Sequence, residues 1–151
     1  MAVVILFIAL WFGVCAYALW RGAQPERFVA VIFLVLGPLS GVAHSLGYQW
    51  RGIELGVFAL DILMLLLLLA IAFRANRYWP IGIAAMQVLQ VVGHLLKLAD
   101  PRMLPLLYWV GAVVWAYPML LLLLLGTVRH HNRVKRLGAE PSWSRSSAPP
   151  D

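Results

Sequence analysis

Residues 53–77 read IELGVFALDILMLLLLLAIAFRANR, and from Leu55 to Phe73 the one charged side chain is Asp61. A helix that crosses a bilayer needs ~20 consecutive, mainly apolar residues. This stretch has the length, and Arg74 and Arg77 flank its end as basic residues flank a membrane-spanning helix. The rest of the chain repeats the pattern. Its 151 residues are 63% hydrophobic and 12% charged, against about 25% charged in a soluble domain. The mean hydropathy is +0.86.

Five runs of spanning length follow one another: residues 2–20, 28–48, 53–73, 80–98 and 104–128. The segments between them hold charge and mostly the glycine or proline that marks a turn: Arg21 to Arg27, Gln49 to Gly52, Arg74 to Arg77 and Ala99 to Arg102. The expected fold class is an all-α integral membrane protein, a bundle of five transmembrane helices over residues 1–128. The first run reads as a retained helix. No charged side chain precedes it, and Leu19-Trp20-Arg21 is a poor signal-cleavage site. Cys15 is the single cysteine, so no intramolecular disulfide can form.

Lysine and arginine set the orientation. With the N-terminus outside, the cytoplasmic segments hold Arg21, Arg27, Arg74, Arg77, Arg129, Arg133, Lys135, Arg136 and Arg145. The outer segments hold Arg51, Lys97 and Arg102. Nine against three puts the N-terminus outside and the C-terminus in the cytoplasm. The net charge of +6 then describes topology and calls for no nucleic-acid partner. The basic segment 129–151, Ser/Pro-rich toward its end, is expected to be a disordered cytoplasmic tail attracted to anionic lipids. His130 and His131 within it are expected to be solvated, and Tyr78-Trp79-Pro80 to anchor a helix start at the membrane surface.

Chemistry-bearing residues gather in the outer half. In the fourth run Gln87, Gln90, His94 and Lys97 follow at spacings of three, four and three, one stripe along a helix. Counting inward from the outer helix ends at 1.5 Å per residue places them against neighbours. Glu54 and Lys97 lie at the rim, His44 and His94 about 7 Å below it, and Asp61, Gln90 and Ser40 about 12 to 13 Å below it. The inner half of the third and fifth runs is almost pure leucine. The expected site is an outward-opening polar pocket of Asp61, His94, His44, Gln90, Ser40, Glu54 and Lys97. A lone carboxylate in lipid costs at least ~2.5–3.5 kcal/mol, so Asp61 must find partners on another helix. Ser40, Gln87 and Gln90 also fit a plain role as interhelical hydrogen bonds. His44 and His94 fit both roles, and Asp61 points to function because a buried acid is a costly way to join helices.

Several functions stay open on these residues. One is a small accessory subunit of a larger membrane complex, or a homo-oligomer, whose pocket senses a ligand. A second is a b-type haem held by His44 and His94 in an electron-transfer subunit, with Arg51, Lys97 and Arg102 near the propionates. A third is a small proton-linked transporter using Asp61 and His94. A metal on His44, His94 and Asp61 fits less well, because Asp61 is expected about a turn too deep. Acid–base work on a lipid by Glu54, Asp61, His44 and His94 is a further alternative, but no enzyme motif is present and a non-enzymatic role is expected.

The segments Gly56-Val57-Phe58-Ala59-Leu60-Asp61, Arg74-Ala75-Asn76-Arg77-Tyr78-Trp79-Pro80, His94-Leu95-Leu96-Lys97-Leu98-Ala99-Asp100-Pro101 and Trp115-Ala116-Tyr117-Pro118-Met119-Leu120 together resemble a family of small, uncharacterised, multi-spanning inner-membrane proteins of alphaproteobacteria. The resemblance runs from Arg21 to His130. It implies a multi-pass protein of the bacterial inner membrane and brings no activity, cofactor or site residue with it.

Overall fold

The computed structural model describes residues 2–47, 55–75, 77–99, 114–138 and 143. They form α1 (Ala2–Arg21), α2 (Gln24–Gly47), α3 (Leu55–Arg74), α4 (Trp79–Ala99) and α5 (Ala116–Leu137). Prolines sit within the first turns of α2, α4 and α5, as Pro25, Pro80 and Pro118. There the missing N–H costs no intrahelical bond and the fixed φ favours the helix. α5 stops at Gly138, whose φ of 80° suits a glycine and whose N–H returns to the Val134 carbonyl at 2.9 Å.

The helices close a ring in which each neighbours the next and α5 returns to α1; α2 also touches α5 across the middle. Close approaches fix the registers. Gly37 of α2 faces Trp11 of α1, and Gly56 of α3 faces Ala43 of α2. Gly126 of α5 lies under the Trp79 indole and Gly82 of α4 under Leu122, so α4 and α5 are antiparallel and tightly seated. Phe7 of α1 meets Tyr117 of α5 edge-on at 5.1 Å, both early in their helices, so these two run parallel. We call the end where α5 finishes the tail end and the other the distal end.

The interior is apolar: Val14, Cys15 and Ala18, then Val29 and Phe33, Leu68 and Ile71, Ile83, and Leu120 and Leu123. The outside is apolar too. Ile5, Leu6, Phe12, Val35, Leu66, Leu96 and Leu121 are all exposed. A soluble monomer rarely shows contiguous apolar surface on this scale. By length and composition, four helices can cross a membrane: Val4–Arg21 of α1, Gln24–Ala43 of α2, Leu55–Arg74 of α3 and Trp79–Lys97 of α4.

Two expected boundaries move. The chain between α1 and α2 is only Gly22 and Ala23, and Gln24-Pro25-Glu26-Arg27 is already helix. At the other extreme α5 continues past residue 128 to Leu137, so residues 129–137 are helical where a disordered tail was expected. The reason is common to both. Apolar runs mark where hydrocarbon ends, whereas a helix continues into water while its residues favour it, and Arg, Lys and Leu do. Trp143 also lies against the tail end, its indole N–H donating to Gln24 Oε1 and its ring 6.0 Å from Phe28. The expected start of the fifth run, residues 104–113, lies outside the described residues.

Candidate functional site

Asp61 sits on the face of α3 turned toward α4, and the stripe on α4 answers it. Asp61 Oδ2 lies 2.7 Å from His94 Nε2, with side chains 2% and 4% exposed. Gln87 Nε2 donates to the Asp61 carbonyl oxygen at 3.2 Å and to Oδ1 at 3.3 Å. Gln90 Nε2 reaches Oδ1 at 3.5 Å, at the long limit of a hydrogen bond. The short contact is therefore the strong one, as expected for a charge-assisted bond. The His94 ring also lies 5.8 Å from Phe58, which walls the pair on the distal side.

Counted by helical rise, His94 and Asp61 stand about a turn apart in depth, yet they touch. Cβ bonds tilt toward a helix's N-terminus. α3 and α4 are antiparallel, so the Asp61 side chain leans toward the distal end and the His94 side chain away from it. Their tips meet between the two levels. Asp61, expected a turn too deep to share a metal with His44 and His94, thus still reaches the His94 ring directly.

Gln87 is the most buried member of the stripe, at 0% exposure, and the residue whose weight the sequence understated. Its signal was there, seven residues before His94 on one face. Its Oε1 has no partner among the described residues, and neither does the buried hydroxyl of Ser40 on α2. Lys97 is half-buried in the last turn of α4. The backbone of His44 belongs to α2, but its side chain, and the whole of Glu54, lie outside the described residues. Among the described residues no three His, Cys, Asp or Glu side chains gather as a metal site. For haem, His94 would have to turn a ring nitrogen toward α2, and its Nε2 is committed to Asp61.

A second polar centre lies at the tail end, where nothing comparable was expected. Glu26, fully buried in the first turn of α2, accepts from Arg77 Nη1. Arg77 Nη2 lies 3.1 Å from His130 Nδ1 on α5. A guanidinium has only donors, so His130 presents an Nδ1 lone pair and carries its ring proton on Nε2. The expectation of a solvated His130 is corrected. Sequence carries little sign of this centre, because Glu26 and Arg77 are 51 residues apart and both read as interhelical charge. Beside it His131 is held below the ordinary histidine value of 6.5, first by partial desolvation and then by the positive charge of Lys135 and Arg21.

Fold and sites together define an all-helical chain with four helices able to cross a membrane and two buried polar centres, one toward each end. No known protein family, curated protein or solved structure matches it.

Proposed function

We propose that this is a multi-pass protein of the bacterial inner membrane, of the alphaproteobacterial kind it resembles, with five spans, the N-terminus outside and the tail in the cytoplasm. It acts as a non-enzymatic accessory or sensing component whose working centre is Asp61, His94, Gln87 and Gln90, open to the outer side. The observation that carries this is the 2.7 Å contact between Asp61 and His94 inside the bilayer-length part of α3 and α4. Intramembrane acid–histidine pairs are costly, face the bundle interior, and mark ligand or proton sites by default. The unpartnered Gln87 Oε1 and Ser40 Oγ support a site that receives a further hydrogen-bonding group. The nine-to-three basic asymmetry supports the orientation.

The experiment is an affinity purification from mild detergent, wild type beside Asp61→Asn/His94→Gln. An accessory component brings down a stoichiometric membrane partner that the double variant holds less well. A chain that purifies alone and carries a pH-driven flux in liposomes overturns this reading. It would favour proton-linked transport, the second reading that the acid–imidazole pair supports. Cysteines placed singly at Ala2 and Ser146 in a Cys15→Ala background test the orientation, and a tail labelled from outside refutes it.

A further inference from the structure

α1 and α5 run side by side, and their register follows from the Phe7–Tyr117 contact. Fourteen residues further along each helix stand Arg21 and His131. With equal rise on parallel helices they lie level, and fourteen residues is close to a whole number of turns, so both keep the facing side. Lys135 stands one turn beyond His131 on the same face. Three basic groups thus meet where the α1–α5 seam leaves the apolar core.

Among the described residues no acid answers them. Glu26 and Asp61 are the acidic residues among those described, and each is buried in a pair of its own. Arg21 instead lies 4.1 Å from the centre of the Trp20 ring, which is 70% exposed. Below Trp20 the outer surface of α1 continues through exposed Leu19, Phe12, Ile8 and Ile5. A cationic notch with an interfacial tryptophan at its lip and a long apolar wall beneath it matches an anionic lipid: headgroup charge, glycerol level, acyl chain.

We propose that Arg21, His131 and Lys135, with Trp20 beside them, bind the phosphate of an anionic phospholipid at the tail end of the α1–α5 seam. The site rests on the membrane reading above and deepens it, since it uses α1 as well as the tail and is a place for one molecule. It makes no use of Asp61 or His94, so its failure leaves their role untouched. Arg129 and Arg136 lie on the opposite side of α5 by helical angle and serve as internal controls.

The test is native mass spectrometry of the full chain in detergent, titrated with phosphatidylglycerol or phosphatidylcholine. Wild type retains one phosphatidylglycerol in preference to phosphatidylcholine. Arg21→Gln/Lys135→Gln weakens that retention roughly thirtyfold, the loss expected for two basic residues at a lipid surface. Arg129→Gln/Arg136→Gln removes the same charge and changes it by less than about threefold. In parallel, the NMR titration midpoint of His131 rises in phosphatidylglycerol nanodiscs relative to phosphatidylcholine ones. The described groups acting on His131 are Arg21 of α1 and His130 and Lys135 of α5, all basic, so a bound phosphate would add a negative neighbour that raises its midpoint. Equal losses in the two double variants mean diffuse attraction and overturn the site. Inorganic phosphate reproducing the His131 shift in phosphatidylcholine overturns the lipid as ligand.

Discussion

Replacing His94 by Leu removes the one short contact to Asp61 and leaves the carboxylate with Gln87 at 3.3 Å and Gln90 at 3.5 Å. Both remaining bonds are long, and neither donor is charged. Breaking a buried pair by removing one partner costs about 3–5 kcal/mol, because the other charge is stranded. An ordinary interhelical hydrogen bond in a membrane protein is worth ~0.6 kcal/mol, and the largest measured are ~1.7. The two figures separate a carboxylate that depends on His94 from a bystander hydrogen bond. Asp61→Asn is milder, about 1–3 kcal/mol, since it strands only a neutral ring nitrogen. The double variant Asp61→Asn/His94→Leu is therefore more stable than His94→Leu alone. The assay is reversible unfolding in mixed dodecylmaltoside and dodecylsulfate micelles. A coupling of at least ~2 kcal/mol is expected, above the membrane hydrogen-bond range. Additive single effects would refute the pairing, and with it the step from geometry to function.

Other perturbations read other parts of the molecule. Arg77→Leu strands Glu26 in the same way at the tail end, and a loss of about 3–5 kcal/mol in the same assay is expected, largely recovered in Glu26→Leu/Arg77→Leu. Gly126→Ala places a Cβ 2.8 Å from the Trp79 ring, and a cost of about 1–3 kcal/mol follows because the indole is seated between α4 and α5. Wild-type thermal stability in that variant would show that the two helices are looser than the contact implies. An NMR titration in neutral detergent is expected to place the His131 midpoint below 6.5. The folded state disfavours its proton, so the linked stability is complete above 6.5 and declines as pH falls below it. A midpoint at or above the ordinary value contradicts the cationic surroundings.

How much of this was written in the sequence depends on which length scale carries the signal. Helices announce themselves through runs of neighbouring residues, so α1 to α4 were legible as apolar stretches, and the stripe on α4 was legible as a spacing. Asp61 was legible as an anomaly, since one acid among leucines has to be satisfied from elsewhere. What the sequence could not give was the choice among donors at similar depth. Gln87 and Gln90 are the same residue type on the same stripe, yet one is sealed against the Asp61 backbone and the other reaches only one oxygen. That difference is set by the rotation of α4 against α3, which the glycine contacts of α4 with α5 help to fix. The tail-end centre was illegible for a complementary reason. Glu26, Arg77 and His130 come from three separate segments, and each alone is an unremarkable charge at a membrane boundary. Only the closing of the ring, with α5 returned between α4 and α1, brings His130 onto Arg77 and Arg77 onto Glu26. The buried apolar layer of Leu68, Ile83 and Leu123 then stands between the two polar centres. A side chain large enough to disturb that layer should loosen both centres together. A change within either centre should leave the other intact, because no described hydrogen bond joins them.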